Sequence, residues 1–246
     1  MMSLNKYSQK IWGAISLLML VFCIGCATTI KYHPTYLERK GVIKKIAVMP
    51  PEIKIFLITA TEGNKLIHDL TVKIEKDVLS EMENLIKEKG FTFQDIKLAE
   101  EDLDKEPDLK FEINKVQKKF NQVNEKIMKD IYKKELNYSI GSEVNQFADR
   151  ADADGLIFIR GIGFKKSAGQ VTKDFLKSLA IGIATAGAVT PAGYTYSTVS
   201  LQVALVDSDT GEILWYNKKD LEIDPANEQQ IKNLLKGVFD KFPGVK

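Results

Sequence analysis

The sequence predicts an α/β fold, a mixed β-sheet covered by helices in the order β-α-β-α-α-β-β-β-α, forming a single domain after a signal peptide. Three observations predict it. Short, uniformly apolar runs such as Ile46-Ala47-Val48-Met49 have the character of strands buried within a sheet. Longer segments place apolar residues three or four apart, the period of a helix that covers such a sheet. The two patterns succeed one another along 246 residues, a length that suits one good-sized core.

The chain opens with Lys6 and Lys10 and no acid, followed by the uncharged stretch 11–25, which ends on glycine. This basic, apolar and small-residue order is that of a secretory signal peptide over residues 1–25, with an apolar part short for an ordinary membrane span. The alternative is an uncleaved anchor helix. Cys23-Ile24-Gly25-Cys26 resembles a lipobox, the recognition site of the lipoprotein signal peptidase, with Cys23 standing where that pattern usually has leucine. The resemblance implies cleavage between Gly25 and Cys26 and a diacylglyceryl thioether on the Cys26 sulfur. Lipidation of Cys23 instead would leave bulky Phe22 at the cleavage point, which argues against it.

Cleavage there leaves 221 residues in which 33 basic side chains balance 33 acidic ones. A neutral chain offers no electrostatic attraction to nucleic acid or anionic lipid. Cys26 is then the sole cysteine, and lipid on its sulfur excludes both a structural disulfide and thiolate chemistry. Ala27 follows, where aspartate in sorted lipoproteins would favour the inner membrane. The implied address is therefore the periplasmic side of the cell outer membrane, or the plasma membrane in a single-membrane cell.

Residues 26–43 lack sustained periodicity and read as a lipidated tether, leaving 44–246 as the α/β domain. Ile46 to Met49 forms a strand before Pro50-Pro51, and Ile53 to Thr59 either extends it or makes an edge hairpin. Leu66, Leu70, Ile74, Val78, Met82 and Leu85 define one face of a helix from about Asn64 to Lys89, ended by Gly90. Phe91 to Leu98 reads as a strand. A helical insert, 108–151, follows: Leu109, Ile113, Val116, Phe120, Val123, Ile127 and Ile131 give a seam roughly 40 Å long at about 1.5 Å per residue, and a shorter helix begins near Ser142. That seam either covers the sheet or projects as a coiled-coil arm. Gly155 to Phe164 and Thr195 to Val206 read as strands, the second joined to Ile213–Tyr216 by a glycine-containing hairpin loop. Asp224 as cap and Pro225 in the first turn open a last helix carrying Ile231, Leu234, Leu235, Val238 and Phe242 inward.

Three segments together resemble a bacterial lipoprotein superfamily that includes the curli secretion lipoprotein, the lipoprotein activators of penicillin-binding proteins and the N-terminal domain of the Tol-system propeller protein. They are Lys45 to Pro50, Ala151 to Ile159, and the hairpin Leu205 to Trp215. The resemblance spans roughly residues 44 to 240 and implies a compact domain that works by protein contacts, without a catalytic site or cofactor.

The candidate chemistry points the same way. Asp207, Asp209 and Glu212 are carboxylates of the kind calcium takes, but Gly211 is fifth from Asp207, not sixth, and residue 218 is Lys, so the segment reads as a hairpin turn. Gly161 and Gly163 lack the third glycine of a dinucleotide fingerprint and read as a bulge or a close backbone approach. His33 and His68 stand in no metal-binding spacing. No nucleophile elbow or phosphate loop is present, so neither a metal nor a small-molecule substrate is expected.

One stretch is unusual. From Ser178 to Val206 there are 29 residues without charge, and Leu179 to Tyr194, the Gly/Ala-rich part of the insert 167–194, reads either as a buried crossover or as an interfacial or self-associating segment. Its candidate membrane or partner contacts are Leu179, Ile181, Ile183 and Val189. The functional expectation is a lipid-anchored, non-enzymatic accessory or assembly factor of a cell-envelope complex, with an envelope protein or another copy of itself as partner. The alternatives are an oligomeric outer-membrane secretion channel of the curli-lipoprotein type and, third, an envelope hydrolase.

Overall fold

The computed structural model describes residues 30–59, 63–96, 106–133, 135–166 and 197–244. Its architecture is the mixed α/β sheet that the sequence predicts, with eight strands and five helices among the described residues. In chain order these are β1 (Lys31–Tyr32), α1 (Tyr36–Arg39), β2 (Lys45–Val48), β3 (Glu52–Thr59), β4 (Gly63–Leu66), α2 (His68–Glu88), β5 (Thr92–Gln94), α3 (Pro107–Lys129), α4 (Asn145–Ala151), β6 (Gly155–Lys166), β7 (Thr198–Asp207), β8 (Ile213–Leu221) and α5 (Glu228–Phe239). A 3-10 turn over Ser142–Val144 leads into α4.

The sheet runs β1-β8-β7-β6-β2-β5, with β3 also paired to β6 and β4 to β3. The long strand β6 organises it. Along one edge its first residues take β2 in parallel and its last take β3, also in parallel. The break between those two partners falls at Pro50-Pro51, because proline has no amide to give to the ladder. Along the other edge β6 pairs antiparallel with β7 from Gly155 to Phe164, and β7 pairs antiparallel with β8. Thus 53–59 forms the edge hairpin, with β3 and β4 antiparallel.

Two apolar layers sandwich the sheet. On one face α2 and α5 bury Ile74, Val78, Met82, Leu234, Leu235 and Val238 against Ile157, Ile159, Leu201 and Val203. On the other, α3 and α4 bury Ile113, Val116, Phe120, Ile127 and Phe147 against Leu156, Phe158, Ala204 and Tyr216. Covering both faces explains the unbroken apolar runs at 156–159 in β6 and 203–206 in β7. The seam of α3 therefore lies on the sheet, and the helix does not project.

Helix α3 crosses the sheet obliquely, and its polar residues record the path. Gln117 donates to the Pro50 carbonyl at 2.9 Å, and Asn121 to the Glu52 carboxylate at 2.5 Å. Asn124, fully buried, donates to Gln202 at 2.8 Å and accepts from the Tyr216 hydroxyl at 2.7 Å. Burial raises the pKa of Glu52, and hydrogen bonds from Lys54 and Asn121 more than reverse this, leaving it below the usual glutamate value.

Four boundaries differ from expectation, each for a physical reason. Residues 30–43, expected within the tether, contain β1 and α1 and pack on the domain. Helix α2 starts at His68 because 63–66 pairs with β3, which leaves Leu66 43% exposed. Helix α3 stops at Lys129, about 34 Å after its start, so Ile131 falls outside it. Asp224 and Pro225 form a turn, with Asp224 accepting from the Ala226 amide at 2.9 Å, and Asn227 caps α5 by accepting from the Gln230 amide at 3.1 Å. The expected strand end at 97–98 and strand start at 195–197 lie outside the described strands.

Asn124 ties the helix to two strands through a site from which water is excluded, so its loss leaves partners unsatisfied. Asn124→Ala should lower stability by about 2 kcal/mol and Tyr216→Phe by about 1 kcal/mol, and the double variant should lose less than their sum. Urea unfolding of the four proteins checks this.

Candidate functional site

The N-terminal arm, residues 30–43, is the described element nearest to Cys26, and its first residues pair with the sheet. Lys31 and Tyr32 add an antiparallel edge strand to β8, opposite Tyr216 and Trp215. The His33 amide continues the ladder by donating to the Leu214 carbonyl at 2.9 Å. Ile30 packs partly buried on the α2/α5 side of the core. After Pro34 the chain turns into α1, with the Tyr36 amide donating to the His33 carbonyl at 3.0 Å and the Tyr36 ring buried.

Side chains then fix both ends of the arm. At its start the Lys31 ammonium donates to the carbonyls of Asp130 and Lys133 at 2.9 and 2.7 Å. A cation there meets the negative end of the α3 dipole. Burial holds the Lys31 pKa below the ordinary lysine value, with Asp130 opposing. At its far end Arg39 donates to Asp207 at 2.5 Å and to Asp209 at 2.8 Å. Those hydrogen bonds, the one to Asp207 foremost, raise the guanidinium pKa above its ordinary value.

Asp207 is wholly buried at the end of β7. Its Oδ1 accepts from the Asp209 and Thr210 amides at 2.9 and 3.1 Å, which shapes the hairpin turn, while Oδ2 receives Arg39. The turn is closed by Gly211, whose φ of +69° and approach to Gly141 leave no room for a Cβ. Beside it the Asp154 carboxylate accepts from the Lys44 and Lys45 amides at 2.8 and 2.9 Å, and Lys45 pairs with Asp152 at 2.6 Å. The Ser208 amide donates to the Asp154 carbonyl at 3.2 Å. The segments 45–50, 151–159 and 205–215 therefore meet at one end of the sheet. Their acidic residues are spent on backbone amides and cations, in keeping with a hairpin turn.

Among the described residues there is no group of three or more histidine, cysteine, aspartate or glutamate side chains arranged to hold a metal ion. His33 is buried, with Nδ1 2.8 Å from the Thr35 hydroxyl and 4.0 Å from Glu212, while His68 is exposed at the start of α2. Gly161 and Gly163 mark close approach: a Cβ at 163 would lie 2.6 Å from Ile55 and 3.2 Å from Val199. No described helix is long and apolar enough to cross a membrane. Gly25, Cys26, Leu179, Ile181, Ile183 and Val189 lie outside the described residues. Sequence reasoning missed Lys31, Tyr36 and Arg39. The alternation in Ile30-Lys31-Tyr32-His33 before Pro34 was the one local sign of an edge strand.

Two outcomes follow from this geometry. Arg39→Ala leaves a buried carboxylate without its cation and should cost about 3 kcal/mol, with Arg39→Lys restoring only part because an ammonium cannot span both acids in one fork. Urea midpoints, together with faster tryptic cutting after Lys40 and Lys44, report it. Burial, with Tyr32 adding, pushes Tyr36 up to about 12, and burial with the Asp130 hydrogen bond does the same for Tyr138. An acid whose folded pKa lies above its unfolded value, near 10, contributes stability that is intact below pH 10 and lost between about 10 and 12. Phenolate absorbance should show a late component that coincides with loss of near-ultraviolet circular dichroism and shrinks in Tyr36→Phe and Tyr138→Phe.

No family model matches the chain, and no curated protein matches it. Among solved structures it is similar to the lipoprotein GNA1162 from Neisseria meningitidis, at 12% identity and a TM-score of 0.37, over 80% of this chain and 98% of that one. It is also similar to the PelC dodecamer from Paraburkholderia phytofirmans, at 11% identity and a TM-score of 0.33, over 79% of this chain and 84% of that one. The PelC L103M dodecamer from the same organism matches at 10% identity and a TM-score of 0.33, with the same coverage.

Proposed function

We propose that this chain is a lipid-anchored envelope protein, held by Cys26 on the periplasmic side of the outer membrane, and that it serves an envelope complex as an accessory or assembly factor through protein contacts and without catalysis. The observation that carries this reading is the order of the first 26 residues: two lysines, an uncharged stretch, a small residue and then cysteine. That order directs export and presents a thiol where lipid is added. The described residues begin four positions later, at Ile30, and the polar groups near the arm serve to dock it. The absence of net charge in the mature chain favours recognition by shape and apolar contact over long-range steering.

Cys26→Ser removes the lipidated atom. The variant should stay at precursor length and take up no labelled fatty acid, whereas the parent matures and labels. Processing and labelling of the variant as in the parent would refute the anchor. Cross-linking in the envelope should then join the lipidated protein to another envelope protein or to further copies of itself. A lone monomer that turns over a substrate would refute the accessory role.

A further inference from the structure

The position of Ile30 limits which side of the domain a lipid on Cys26 can bring to a membrane. Residues 31–33 are paired to β8 and Ile30 packs, partly buried, against the core, so the arm is held from residue 30 onward. Four peptide units separate Ile30 from Cys26, and at about 3.6 Å each they span no more than about 14 Å. Resting on the lipidation of Cys26 proposed above, this reach keeps the sheet edge at β1 within one such span of the headgroups.

Two helix ends flank that exit. Lys31 bonds the carbonyls of Asp130 and Lys133 beyond α3, and the Tyr32 hydroxyl donates to the Lys241 carbonyl beyond α5 at 3.2 Å. In the first of these loops Tyr132 is 96% exposed, more than any other large hydrophobic side chain among the described residues, and Tyr32 on β1 is 41% exposed. A phenol joins an apolar ring to a polar tip, which is the composition that favours the boundary between lipid tails and water.

The surrounding charge is mixed. Exposed Lys129, Lys133 and Lys241 alternate with Asp130, Glu135 and Asp240. An open depression of about 470 Å³ in the same loop is lined by Asp130, Lys133, Glu135, Asn137 and Tyr138. Side chains of both signs complement a headgroup that carries a phosphate and an ammonium, and they give no net pull towards an anionic surface. Phe111, the strongly exposed aromatic of α3, sits 18 residues before Lys129, about 27 Å along the helix.

We propose that the domain lies on a zwitterionic bilayer through its β1 edge, with Tyr132 and Tyr32 seated at the lipid interface and Phe111 held away from it. Lipidation supplies the attachment, and this edge supplies a fixed orientation.

Brominated lipids, which quench indole emission on contact, test this in the mature, lipidated protein. Trp12 is removed with the signal peptide and Trp215 is fully buried, so one added indole can be followed against a constant background. Tyr132→Trp and Phe111→Trp both alter exposed positions and should leave the fold intact, which circular dichroism checks. In vesicles of phosphatidylcholine and phosphatidylethanolamine with brominated chains, the indole introduced at 132 should lose at least half its emission, and that at 111 should lose almost none. Equal quenching at the two positions, or none at 132, would overturn the orientation. Intact mass separates the two failures: a mature chain without diacylglyceryl defeats the anchor itself, whereas a lipidated chain unquenched at 132 defeats only the orientation.

Discussion

A single buried carboxylate, Asp207, joins the parts of this molecule that matter for attachment. It ends the central strand β7, shapes the hairpin into β8 through two backbone amides, and receives Arg39 from a segment 168 residues earlier. A charge with no solvent exposure is tolerable only if such partners surround it. The same interaction therefore closes the hairpin and clamps the arm. Without the clamp, the edge pairing of residues 31–33, the Lys31 hydrogen bonds and the burial of Tyr36 and Ile43 would have to hold the arm against the entropy of a free N-terminus.

The consequence for function is mechanical. On the lipidation of Cys26 proposed above, an arm packed from Ile30 onward leaves only residues 26–29 between the lipid and the described domain. The α3 helix reinforces this, because its far end receives Lys31 while its middle is pinned by Asn124 to β7 and β8. Arm, sheet and α3 form one connected unit.

What was legible in the sequence follows from the range of the forces involved. The seam Ile113, Val116, Phe120, Val123 and Ile127 was readable because burial repeats with the helical period over many residues. The central strands were readable because both of their faces are covered. The arm was not, since β1 has two residues and its stability comes from partners about 100 and 168 positions away. Leu66 misled the helix start because its apolar character fits the helical period although it lies in an exposed hairpin. Asp224 and Asn227 are both good caps three residues apart, and only the turn at Pro225 decides that the second begins α5. The uncharged insert and Cys26 lie outside the described residues, so their roles rest on composition and motif.

The claim that the arm belongs to the folded domain is tested most directly by native-state amide exchange on the lipidated protein in vesicles. The amides of His33, Tyr36, Lys40 and Ile43 all donate to backbone carbonyls, and they should exchange as slowly as those of β8, in one cooperative unit with it. Exchange of these arm amides at the rate of an open chain, while β8 stays protected, would contradict the account and return residues 26–43 to a flexible tether.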